Sequence, residues 1–166
     1  MARALAIWPL VLMLALVVCA PAGLGAADWA GISPGTSTIQ TVRSRFGAPS
    51  RETREKLEGY DTTRWIYEGS RAPAGVKRLS VDFGMLTSAG YRPDLARYFE
   101  LDPKPQVFDR ETVLQGWGSP DKVGVEDGRR FFFYNAGLVV YFDPTGEDAV
   151  SMFFTTPQPA PPPASK

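Results

Sequence analysis

Thr38-Ile39-Gln40-Thr41-Val42-Arg43-Ser44-Arg45-Phe46-Gly47-Ala48-Pro49 and Asp109-Arg110-Glu111-Thr112-Val113-Leu114-Gln115-Gly116-Trp117-Gly118-Ser119-Pro120 share one pattern, the second lying 71 positions after the first. Both reduce to cap-x-x-Thr-Val-x-x-x-aromatic-Gly-x-Pro. Thr38 and Asp109 carry a side-chain oxygen able to accept from a free helix N–H. Ile39, Val42 and Phe46 recur at helical spacing, as do Val113, Leu114 and Trp117, so each copy predicts a short amphipathic helix. Gly47 and Gly118 stand where a left-handed C-terminal cap is expected, and Pro49 and Pro120 stop the helix from resuming. Phe46 and Trp117 are read as core anchors.

The likeness continues downstream. Leu79-x-Val81-x-Phe83 follows the first copy and Leu138-x-Val140-x-Phe142 the second. Strand material is expected at Arg64–Tyr67 and Lys77–Phe83, then at Arg129–Asn135, Leu138–Asp143 and Ala149–Thr155. Asn135-Ala136-Gly137 is a hairpin signal, and Asp143-Pro144-Thr145-Gly146 is a turn. Pro93 demotes Gly90–Asp94 as a central strand; Arg97–Leu101 is either the first unit's third strand or the link between units. The expected fold class is α+β. Two tandem units are expected, each a short amphipathic helical start packed on a small antiparallel β-sheet of about three strands. The organisation reads as a signal peptide over 1–26, a first unit over 27–101, a second over 102–156 and a Pro-rich tail over 157–166.

Both ends differ in character from this repeat. Met1-Ala2-Arg3, the apolar run Ala4–Cys19 and the small residues up to Ala27 have the three regions of a secretory signal peptide. The apolar run is shorter than the roughly 20 residues of a spanning helix. Leu16-Val17-Val18-Cys19 is similar to a bacterial lipobox, making Cys19 a candidate for lipidation, although Val18 stands where a small residue is usual. The tail is dense in proline and supplies neither helix nor central strand.

The chain holds 18 basic and 18 acidic residues, no histidine and one cysteine. Without a basic excess, nucleic-acid binding is not expected. Cys19 lies in the leader, so the exported chain is left with neither a disulfide framework nor a thiol nucleophile. Carboxylates are then the remaining route to catalysis, through Glu52, Glu55 and Glu58 or through Glu126 and Asp127. The first three alternate with Arg51, Arg54 and Lys56 in a solvated, self-neutralising segment. Glu126-Asp127-Gly128 reads as a turn. No phosphate loop, nucleophile elbow or metal-ligand cluster is visible. A non-enzyme with no cofactor, no metal and no small-molecule substrate is therefore expected.

A different feature points to binding. Phe131, Phe132, Phe133 and Tyr134 are consecutive, as are Val139, Val140, Tyr141 and Phe142, so large apolar groups face both sides of this sheet. One side packs on the Val113/Trp117 helix. The other is covered by the first unit or by a partner protein, and Phe132, Tyr134 and Tyr141 are taken as the candidate partner surface.

The order of cap, Val, bulky apolar residue, Gly-x-Pro, aromatic strand and Leu-x-Val-x-Phe over residues 33–90 and 107–155 resembles the SmpA/OmlA family, of BamE-like fold. That resemblance implies a periplasmic protein at the inner face of the outer membrane, peripherally associated with it. Its partners would be envelope proteins, among them the β-barrel assembly machinery, and its role accessory to barrel assembly or envelope integrity. Members usually carry one such unit. A tandem of two is also similar to the secreted β-lactamase-inhibitor proteins, whose doubled sheet forms an inhibitory surface, so inhibition of an extracytoplasmic hydrolase is the alternative.

Overall fold

The computed structural model describes residues 25–158. The leader up to Leu24, with Cys19, and the tail from Pro159 lie outside the described residues. Helix α1 spans Ile39–Phe46 and α2 spans Arg110–Trp117. The hydroxyl of Thr38 accepts from the Thr41 N–H at 3.3 Å while the Thr41 hydroxyl accepts from the Thr38 N–H, a reciprocal cap. Asp109 accepts from the Thr112 N–H at 2.7 Å. Gly47 and Gly118 end the helices with φ of 76° and 78°, but ψ of −156° and −162° places them outside the left-handed helical region. That corner of backbone space is open essentially to glycine alone. It swings the chain off the helix axis towards Pro49 and Pro120.

Eight strands follow: β1 (Arg51–Leu57), β2 (Tyr60–Glu68), β3 (Val76–Thr87), β4 (Gly90–Pro103), β5 (Lys122–Glu126), β6 (Arg129–Tyr134), β7 (Leu138–Phe142) and β8 (Ala149–Phe154). They form one antiparallel sheet in the order β1-β2-β3-β4-β8-β7-β6-β5. The expected α+β fold of two tandem units, each a helical start on its own sheet of about three strands, is overturned: the described residues form mostly one eight-stranded antiparallel sheet carrying two short helices. Each helix is followed by four strands, and the two meanders fuse into a single sheet where β4 pairs with β8.

The missed strands have a common reason. β1 and β5 are the two edges of the sheet, and nearly all their residues are exposed or half-buried. Strand periodicity is legible only where one face is buried; β1 therefore reads as a charge run. The turns that close these edges are two-residue ones, Glu58-Gly59 and Asp127-Gly128, with positive φ at every position. Pro93 does sit in a strand. The β3–β4 register jumps from Met85↔Arg92 to Phe83↔Ala96, so the proline falls in an irregular stretch where no ladder N–H is required.

The register fixes the two faces. Trp65, Tyr67, Leu79, Val81, Phe83, Phe99 and Leu101 point one way, continued across the seam by Met152, Phe154, Leu138, Val140, Phe142, Phe132 and Tyr134. These residues and Val42 and Val113 of the helices form one core. At the seam Phe99 faces Phe154 and Leu101 faces Met152, all fully buried. The two rings stack with centroids 4.4 Å apart. Each such side chain contributes about 1.5–3 kcal/mol by leaving water.

The likeness between the two halves extends to individual hydrogen bonds. The Tyr67 hydroxyl donates to the Gly47 carbonyl and the Tyr134 hydroxyl to the Gly118 carbonyl, both at 3.1 Å. Burial pushes both phenols up to about 12. Ala96 N–H bonds the Ser37 carbonyl and Ala149 N–H the Phe108 carbonyl, so each helix entry is tied to the last strand of its own half. Residues 27–32 close the assembly: Trp29 stacks on Phe46, the Trp117 indole donates to the Asp28 carbonyl, and Ala27 N–H bonds Ala136.

Tyr67→Phe and Tyr134→Phe are expected to cost about 1 kcal/mol each, read as matching shifts in urea midpoint. Phe154→Ala removes a ring shared by both halves and is expected to displace one cooperative transition by about 3–5 kcal/mol. Two separable transitions, only one of them displaced, would contradict a single core.

Candidate functional site

Both helices pack on the core face, so neither covers the opposite face of the sheet, where Ile66, Ser80 and Asp82 are nonetheless buried. Alternation along the strands assigns its residues, and the two halves differ sharply in chemistry. The β2–β4 part is polar. Arg64 Nε sits 3.0 Å from both carboxylate oxygens of Asp82, and Arg64 Nη2 donates to the Tyr98 hydroxyl at 2.8 Å. The bulge opposite Asp82 brings Arg97 to the same carboxylate at 3.7 Å. Asp82 is 4% exposed and holds two guanidinium groups. Its hydrogen bond to Arg64, above all, keeps that arginine more firmly charged than usual. Next to the seam, Ser151 donates to Glu100 at 3.1 Å, and burial pushes the Glu100 carboxyl above its ordinary range.

The β5–β8 part is aromatic. Phe131, Phe133, Val139, Tyr141 and Phe153 lie on this face, each half-buried. Tyr141 is central, 6.1 Å from Phe131 and 6.3 Å from Phe153 between ring centroids. Its hydroxyl donates to Glu126, which raises the phenol's pKa, and the Arg129 guanidinium lies 5.0 Å from its ring centre. The Phe131 ring covers Gly124, where an added Cβ would come within 2.6 Å of it. Lys122, Glu126, Phe131, Phe133, Val139 and Tyr141 line an open depression of about 300 Å³. Apolar rings ringed by alternating charges can hold another protein's apolar side chains while orienting it by charge.

The structure separates the three residues expected on a partner surface. Tyr141 belongs to the open face, but Phe132 and Tyr134 are 6% and 4% exposed, in the core beneath the helices. Their neighbours Phe131 and Phe133 take the surface instead. The signal was present in the sequence. If Leu138-x-Val140-x-Phe142 is core by its likeness to Leu79-x-Val81-x-Phe83, Val139 and Tyr141 face outward, and hairpin pairing carries Phe133 and Phe131 with them. Phe153 had no comparable marker.

The carboxylates considered for catalysis are dispersed. Glu52 accepts from the Trp65 indole at 3.0 Å, and Glu55 and Glu58 are exposed at the β1 edge of the sheet. Glu126 and Asp127 lie at the opposite edge. The candidate lipidation site Cys19 is outside the described residues.

No family model matches the chain, and no curated protein matches it. Among solved structures, a DUF4309 family protein (YjgB) from Bacillus subtilis subsp. subtilis str. 168 is similar at 12% identity and a TM-score of 0.47, over 80% of this chain and 88% of that one. At that level of likeness no function transfers.

Glu100 gives the face a pH dependence. The folded chain binds the Glu100 proton more tightly than the unfolded chain, so stability falls as pH rises from the ordinary value of 4.5 through the raised one. Glu100→Gln keeps an acceptor for Ser151 and is expected to raise the urea midpoint at neutral pH. The difference from the parent should vanish well below 4.5, where both states are protonated; an equal gain at all pH values would rule out this cause.

Proposed function

We propose that this chain is a non-enzymatic, exported protein that binds another envelope protein through the aromatic half of its open sheet face. The observation that carries the reading is the Phe131–Tyr141–Phe153 cluster, left uncovered while both helices pack on the other side. Exposed apolar clusters of this kind mark interaction sites more often than they mark idle surface. Export rests on the leader pattern over 1–26. Lipidation at Cys19 would add peripheral attachment to the outer membrane.

Two roles fit such a binder. The SmpA/OmlA resemblance favours a partner in outer-membrane barrel assembly or envelope maintenance. Inhibition of an extracytoplasmic hydrolase is favoured by one further observation: both halves contribute strands to one continuous hydrogen-bonded sheet, which presents a single face to a partner.

The test is recovery of partners from solubilised envelopes, with Tyr141→Ala and Phe153→Ala as controls. Each truncation is expected to weaken capture by about tenfold or more, as for central aromatic contacts, with a smaller effect on the unfolding midpoint than Phe154→Ala. Barrel proteins or their assembly factors in the eluate support the first role; loss of a secreted hydrolase's turnover on adding the purified protein supports the second. Capture unaffected by both truncations removes the aromatic face as the site.

A further inference from the structure

The two edges of the sheet are protected very differently. β1 carries Arg51, Glu52, Arg54, Glu55 and Lys56 along its length, the charged edge that discourages another strand from pairing. β5 reads Lys122-Val123-Gly124-Val125-Glu126, with charge only at its ends. Val123 and Val125 are 62% and 67% exposed. We propose that β5 is a self-association edge, at which a second copy of this chain adds its own β5 antiparallel to make a symmetric dimer.

The argument is self-complementarity. Antiparallel pairing of this strand with itself, centred on Gly124, places Lys122 opposite Glu126 of the second copy and Glu126 opposite its Lys122. Val123 then meets Val125 of the second copy, and the reverse. All four side-chain pairs are favourable, and one register satisfies them. A two-fold interface demands that a surface be complementary to itself, and β5 meets that demand around an exposed apolar centre, which the charged β1 edge lacks.

The backbone phase agrees. The two-residue Asp127–Gly128 turn makes Glu126 and Arg129 the hydrogen-bonded closing pair. Alternation then directs the peptide groups of Val123 and Val125 away from β6, to the free edge. In the centred register these are the groups that exchange hydrogen bonds between copies, and the two Gly124 residues sit at the axis with no side chains between them. The Phe131 ring already lies across Gly124, so two Phe131 rings would approach over the paired glycines. The aromatic face of one copy thereby continues into that of the other.

Sedimentation velocity of the purified protein over a concentration series tests this. A reversible monomer–dimer equilibrium is expected. Lys122→Glu and Glu126→Lys each turn both cross-strand charge pairs repulsive and are expected to weaken the dimer roughly tenfold. Mixing the two variants restores opposite charges at both pairs, so a heterodimer of near-parental affinity is expected. Val125→Arg alters an exposed position without touching the Glu126–Tyr141 hydrogen bond, and is expected to give monomers with an unchanged unfolding midpoint. The proposal is overturned by a parent monomeric at every concentration, by growth beyond dimers, by dimers that persist in Val125→Arg, or by folded charge variants that fail to associate when mixed.

Discussion

Three residue pairs between β4 and β8 hold the architecture together. Without Phe99↔Phe154, Glu100↔Phe153 and Leu101↔Met152 the chain would be two four-stranded meanders, each with a small core and an unpaired apolar strand. With them, four fully buried side chains weld both cores into one, and two otherwise aggregation-prone edges satisfy each other. The remaining edges fall at β1 and β5, as far apart as the sheet allows. Domains of this size are marginal when divided and sufficient when fused.

The same pairing determines what the open face can be. Because the two halves join edge to edge in one sheet, both helices fall on a single side and both outward surfaces on the other. The core instructions were kept in both halves: capping oxygen, terminal glycine, tyrosine bonded to that glycine, and the Leu-x-Val-x-Phe strand. The outward positions differ. One half carries an arginine–aspartate network in which Arg64 is bonded to Asp82 and Tyr98 while the buried Arg97 Nε has no partner among the described residues, and the other a group of rings with charges at its margin. Polar groups bonded to one another have little left to offer a partner, whereas half-exposed rings gain by being covered.

Helix positions were legible because their signals are local. A cap, a stop and a 3.6-residue period need only neighbouring residues to be read, and α1 and α2 begin and end where Thr38, Asp109, Gly47 and Gly118 indicate. The inner strands were legible through their buried face. β1 and β5 were not, since an edge strand exposed on both sides has no period to display. Pro93 misdirected the reading of β4, because its tolerance depends on an irregular register with β3 that cannot be seen along the chain.

The candidate surface illustrates the division most clearly. The sequence by itself determined that four consecutive aromatics, Phe131 to Tyr134, would supply rings to both faces of a strand, because successive side chains alternate. It also determined where the helices begin and end. Which of those rings are buried follows from the β6–β7 register and from the Leu138-x-Val140-x-Phe142 face being core, and it is the tertiary structure that makes that face core. Tyr134 is drawn inward by its hydrogen bond to Gly118 and Phe132 lies against Phe142, which leaves Phe131, Phe133 and Tyr141 outside. The physical reason is that facing is a property of register, and register is set by which strands pair across the sheet. The β4–β8 pairing joins residues about fifty positions apart, and no local pattern announces it.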